Sequence, residues 1–316
     1  HGAGGAVTTG VNNTIMGGLA GDALTIGGSN VAIGYAALSA EDVGQNNVAI
    51  GNQALVNQNT SGGSAVNVYN TAVGSQAGLS ITTGIQNTLI GGLAGDALTE
   101  GTKNVAVGYN SLGAATTSER NTAIGYNSLS VNTTGDNNTA LGYNALATNV
   151  DGDRNTAIGS GALQTMEPSA GDTYNTAVGF SAGGAVTTGT GNTLIGGLTG
   201  DALTAGNDNV AIGLNALSAD TLGSGSVAIG NVALQDQNFT TATNAYNTAI
   251  GRSAGRDITT GIQNTIMGAL AGDALTDADY NVAIGYAALT SDTLGSLSVA
   301  IGARALNNQN FTTATD

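Results

Sequence analysis

The sequence predicts an all-β fold, a parallel β-solenoid wound in coils of about 17 residues. Three observations carry this. First, a five-residue unit, Asn (twice Ser), then Thr or Val, usually Ala, an aliphatic residue and Gly, returns 17 times between Asn13 and Ser298. Its spacing is 17 residues, except for 23 after Asn47, 20 after Asn155 and 21 after Ser226. Second, the fifth position is Gly in all 17 copies, which breaks any helical reading because each Gly costs a helix about 1 kcal/mol. Third, 51 Gly, one Pro, no Trp and no Cys leave little material for an ordinary globular core, and exclude disulfides and thiolate metal sites.

Each position of the coil has a physical reading. Counting the anchor as position one, Asn104, Asn121, Asn138 and Asn155 stack one above another, so that side-chain amides can hydrogen-bond along the stack and satisfy turn backbone. Positions two and four are β-branched or aliphatic and share one face of a short strand. That face is expected to point inward, with Ile124, Leu141 and Ile158 forming a continuous internal ladder. Position three, Ala in 13 copies, is then a small flat outer face. Gly108, Gly125, Gly142 and Gly159 mark a bend that needs positive φ or close approach to the next coil. Stacking at about 4.8 Å per coil would give a rod of roughly 80 Å.

The repeat runs through the chain, so residues 1–316 are expected to be one continuous solenoid domain. A longer unit of four coils is superimposed, opening on Gly-Gly-Leu-Ala-Gly-Asp-Ala-Leu-Thr at 17–25 and returning at 91–99, 196–204 and 268–276. The ends fall inside coils, which predicts a segment of a longer array. Extra residues enter around Asn57–Tyr69, Thr165–Tyr174 and Asp236–Tyr246. Insertions in a solenoid map to loops on one edge, so Asn59, Tyr69, Tyr174, Phe239 and Tyr246 are the candidate partner contacts.

Chemistry is sparse. The only imidazole is His1, so Ser-His-Asp and Cys-His catalysis lack their base. No phosphate loop with its Lys is present. The nearest clustered acids are Asp151 and Asp153, with Glu41-Asp42 and Asp277/Asp279 beside them. They suit turn hydrogen bonding; calcium binding and glycoside hydrolysis by paired carboxylates are the alternatives. No other metal and no cofactor is expected. A net charge of −15 repels nucleic acid and anionic membrane surfaces, and no run reaches membrane-spanning length. Ranked Thr at position two could order water and bind ice, although that position is assigned inward.

The Asn-Val-Ala-Ile-Gly copies at 30–34, 47–51, 209–213 and 281–285, and Ser-Val-Ala-Ile-Gly at 226–230 and 298–302, resemble the head repeats of YadA-type trimeric autotransporter adhesins. The Asn-Thr-Ala-Ile-Gly-Tyr copies are similar to arrays in phage tail fibres. The resemblance covers nearly the whole chain, although the coils here are longer than those of the adhesin heads. It implies a left-handed β-roll, a fibrous homotrimer and an extracellular place on a cell surface or virion. It also implies a non-catalytic attachment role, with a host glycan or protein as receptor. A self-assembling filament and an ice- or glycan-binding solenoid are the alternatives, with a glycan depolymerase after them. The Ala row would let neighbouring rolls approach closely in such a trimer.

Overall fold

The computed structural model describes residues 2–60, 62, 64–168 and 171–313. Among them there is no helix, and the chain winds as a parallel β-solenoid of about 17 coils, as the period predicts. It divides into two compact units, His1–Asn155 with Ser169–Asp172, and Thr156–Pro168 with Thr173–Asp316. The first stacks eight three-residue strands from Thr14–Met16 to Thr139–Leu141; the second stacks nine, from Thr156–Ile158 to Val299–Ile301. Register is strict, with like positions facing each other: Thr122, Ala123 and Ile124 pair with Thr139, Ala140 and Leu141. The ladder is parallel because each coil returns in the same direction, so the Thr122 N–H reaches the Asn138 carbonyl (2.8 Å) and the Gly125 N–H the Val107 carbonyl (2.8 Å).

The anchor asparagines are buried and bond in two directions. Asn104 Oδ1 accepts the Asn121 N–H at 3.0 Å, and Asn121 Oδ1 accepts the Asn138 N–H at 2.8 Å. Their Nδ2 groups donate across the coil to the carbonyls of Ser118 and Gly135, both at 2.8 Å. Asn138 does the same, accepting from Asn155 N–H at 2.9 Å and donating to Gly152 at 2.7 Å. Asn155 Nδ2 donates to Asn138 Oδ1 and to the Asp153 carbonyl, both at 3.1 Å. Each amide thus ties a strand to the far wall of its own coil and to the next coil.

That burial fixes the parity of the strand, and it corrects the inward assignment of position four. Side chains alternate, so an inward anchor puts position three inward and positions two and four outward. Ala123, Ala140 and Ala157 have no exposed surface, whereas Ile124 and Ile158 are half-buried and Leu141 is 42% exposed. The internal aliphatic positions are instead those at position nine, Leu112, Leu129 and Leu146 in the first unit and Leu163 in the second, all fully buried. Ala is small at position three because Leu at position nine fills the space across the narrow coil. Where position three is large, as at Leu89, Leu194 and Ile266, position nine is Gly95, Gly200 and Gly272. A Cβ on Gly95 would lie 2.8 Å from Leu89 Cδ2 and 2.9 Å from Leu98 Cδ1.

Turn geometry is the other constraint. Gly108 and Gly125 hold φ of 134° and 133°, and a Cβ on Gly108 would sit 2.5 Å from the Gly125 carbonyl oxygen. Gly142 and Gly159 repeat this conformation. Both the positive φ and the close approach therefore exclude any side chain. By contrast Leu112, Leu129 and Leu146 adopt left-handed φ of 50–55° despite their side chains. That conformation costs about 1–2 kcal/mol per residue, offset here by burial of the Leu side chain and by inter-coil bonds such as Leu129 N–H to Ala145 carbonyl (3.1 Å).

Candidate interaction surface

Two features face outward from the described coils: the outer face of the strand ladder and the inserted loops. On the outer face, position two alternates Thr with Val, and position four is always aliphatic or Met. In the first unit Ile90 and Leu141 are exposed, with Val107 and Ile124 half-buried between them. In the second unit Ile195 and Met267 are exposed, and Ile158 belongs to the same rank. Tyr109, Tyr126 and Tyr143, at position six, stand beside this rank and stack on one another. Expected as lining the interior, Ile124, Leu141 and Ile158 are thus surface groups, and the Ala row is interior and unavailable to a neighbouring roll.

The insertions leave the coil after position twelve and rejoin it by short extra strands. Val66–Asn67 pairs with Gly44–Gln45, Gly171–Asp172 with Gly152–Asp153, and Thr243–Asn244 with Gly223–Ser224. Residues 61, 63, 169 and 170 of the expected loops lie outside the described residues. Asn59 is exposed, and Tyr69, Tyr174 and Tyr246 are each more than half exposed. These tyrosines hold left-handed φ of 57°, 52° and 49° at the corner before the anchor. Phe239 differs from expectation: at 5% exposure it is part of the core, not a loop tip.

The reason is a buried acid at position twelve of the preceding coil. Asp220 has no exposed surface; its Oδ1 accepts the N–H of Gly223 (3.0 Å) and of Phe239 (3.2 Å), and its Oδ2 accepts Gln237 Nε2 (2.6 Å). Gln237 Oε1 in turn accepts Asn247 Nδ2 at 2.9 Å, so the chain of bonds ends on an anchor. Glu41 repeats the arrangement. Its Oε1 accepts Gly44 N–H (2.7 Å) and the Thr60 hydroxyl (2.9 Å), its Oε2 accepts Gln58 Nε2 (2.8 Å), and Gln58 Oε1 accepts Asn70 Nδ2 (2.8 Å). Asp292 and Gln309 form the third copy, with Phe311 N–H donating to Asp292. Burial raises the Asp220 carboxyl above its ordinary 3.8, against the lowering effect of its hydrogen bonds from Gln237, Phe239 and Gly223. An Asp or Glu at position twelve followed 17 residues later by Gln marks the first and last of these insertions and recurs at Asp292 and Gln309, whereas the middle insertion has Asn149 and Met166 at these places.

The clustered acids are engaged with the preceding coil. Asp151 Oδ1 accepts the hydroxyls of Thr133 (3.1 Å) and Thr134 (2.7 Å), and Asp153 Oδ1 accepts the Asp136 N–H (2.6 Å). Asp277 and Asp279 accept from Thr260 and from the Ile262 N–H. Among the described residues no group of three His, Cys, Asp or Glu side chains is placed to hold a metal ion, and no pocket indents the surface. No described helix is long and apolar enough to cross a membrane. In comparisons with protein families, curated proteins and solved structures, nothing matches this chain.

Proposed function

We propose that the chain is the shaft of a non-catalytic attachment fibre of a cell surface or virion, acting outside the cell. Copies associate, three together, through the outer face of the strand ladder. The inserted loops then offer Asn59, Tyr69, Tyr174 and Tyr246 to a surface glycan or protein receptor. The observation that carries the reading is the outward-facing rank of Ile, Val, Leu and Met at position four, half-buried in most coils and exposed at Ile90, Leu141, Ile195 and Met267. An aliphatic row turned to solvent in this way marks an association face. Repeated loops on such a shaft suit many weak, equivalent contacts rather than one deep site.

The test is sedimentation equilibrium over a wide range of protein concentration. A trimer is expected, and the pair Ile124→Asp with Leu141→Asp should yield monomer with an unchanged β circular-dichroism spectrum. Wild-type protein that stays monomeric throughout would overturn the reading. One observation favours a second reading: Thr at position two faces outward, as at Thr122 and Thr139, so the objection that these hydroxyls point inward is removed. An ice-binding face would show thermal hysteresis in dilute solution, which a fibre shaft would not.

A further inference from the structure

We propose that Tyr109, Tyr126 and Tyr143 form an oxidative cross-linking site, at which neighbouring rings couple into dityrosine and staple successive coils. The three occupy position six of consecutive coils, in Gly-Tyr-Asn at 108–110, 125–127 and 142–144. Ring centroids lie 5.5 and 5.6 Å apart, with planes 18° and 13° from parallel. Exposure is 50%, 48% and 56%, so an oxidant in solution can reach every ring. Tyr126 is stacked between the other two rings, so each neighbouring pair stands face to face. Elsewhere position six breaks the series: Tyr35 stands between Gly18 and Asn52, and Tyr286 between Ala269 and Ala303.

One-electron oxidation with loss of the hydroxyl proton leaves a phenoxyl radical whose unpaired electron is shared with the carbons ortho to oxygen. Two adjacent radicals join through one ortho carbon each, forming a carbon–carbon bond. The hydrogen on each joined carbon then leaves as a proton, and each ring oxygen regains one, restoring both phenols. Two tyrosines thus give up two electrons and two protons, and a peroxide, the co-reactant, accepts them to become two waters. Strand spacing of about 4.8 Å holds the side chains together, which replaces a bimolecular encounter by a local one. The exposed rings turn about their side-chain bonds to bring the ortho carbons into contact.

The full chain is treated, dilute, with hydrogen peroxide and a haem peroxidase, then read by dityrosine fluorescence, intact mass and peptide mapping. Links joining Tyr109 to Tyr126 or Tyr126 to Tyr143 within one chain are expected, each removing two hydrogens. Tyr126→Phe should remove most of the intrachain product, because Tyr109 and Tyr143 are then two coils apart. Tyr35→Phe and Tyr286→Phe should leave the yield unchanged. Circular dichroism of each variant before oxidation verifies the fold. No dityrosine from wild type, an unchanged yield from Tyr126→Phe, or links mapped outside the ladder or only between chains would each overturn the proposal.

Discussion

The exchange of volume between positions three and nine can be tested in a single coil. Gly95 lies against Leu89 and Leu98, and its φ of 57° matches that of Leu112 (55°) one coil on. Leu112 shows that Leu can take up this left-handed conformation, at its cost of about 1–2 kcal/mol, and the further obstacle at residue 95 is space. Gly95→Leu would push its first side-chain carbon to within 3 Å of two leucine methyls that are already buried. Overpacking of this kind costs typically 1–3 kcal/mol, occasionally more, and four added carbons in a coil this narrow place it near about 3 kcal/mol. For a unit of this size each kcal/mol moves the melting point by roughly 2–4 °C, so a fall of about 6–12 °C is expected. The triple variant Leu89→Ala, Gly95→Leu, Leu98→Ala rebuilds the composition of the next coil, where Ala106, Leu112 and Ala115 stand at these positions. It should recover most of the loss. Thermal unfolding followed by far-ultraviolet circular dichroism measures both. A triple variant no more stable than Gly95→Leu alone would refute the reasoning.

Three further outcomes are expected. Asn104→Ala leaves the Asn121 N–H and the Ser118 carbonyl without their side-chain partner in a buried setting, costing about 2–4 kcal/mol, read by denaturant titration and by lost hydrogen-exchange protection at Asn121. Ala123→Asp buries an unpaired charge and should unfold its coil, whereas Ile124→Asp, facing outward, should change the unfolding of the isolated chain by less than about 1 kcal/mol; equal losses would restore the opposite parity. For Asp220 the native carboxyl titrates above its ordinary 3.8, so the native state holds its proton longer than the unfolded state does. Stability from this group is then greatest below 3.8 and is lost as pH rises through the native value. The stability difference between wild type and Asp220→Asn should accordingly shrink as pH increases over that window, and a difference that grew would reverse the assignment.

Much of the fold was legible because period is independent of orientation. The spacing of 17, the invariant Gly and the strand-forming pairs specify a stacked parallel ladder whichever side of the strand faces in. Orientation is harder to read, because apolarity alone favours position four as the inward group while the anchor Asn demands the opposite parity. Ile at position four is more apolar than Ala at position three, but the Asn at position one must be buried for its amide to bond along the stack, and strand parity then carries position three inside with it. A second signal lay in the same rows: Leu89 with Gly95, Leu194 with Gly200 and Ile266 with Gly272, against Ala123 with Leu129, is a volume exchange that only two positions facing one interior would show.

The loops were legible as insertions but not as a mechanism, since a buried carboxylate and a turn carboxylate look alike in a sequence. Their distinction is the partner one coil away. Asp151 finds Thr133 and Thr134 at the surface, whereas Asp220 finds Gln237, and through it the anchor Asn247, in the interior. The direction of that second chain matters. Asn247 donates to Gln237, Gln237 donates to Asp220, and the two backbone N–H groups of Gly223 and Phe239 leave the carboxylate with donors on both oxygens. Reversing Gln237 would set its amide against that of Asn247, so residue 220 must present an acceptor oxygen to the Gln237 amide while the glutamine keeps its place. A lone acid at position twelve would bear the desolvation without the bonds. The pair, recurring as Glu41 with Gln58 and Asp292 with Gln309, keeps the polar groups around position twelve partnered in those coils, while the insertion after Met166 opens without it.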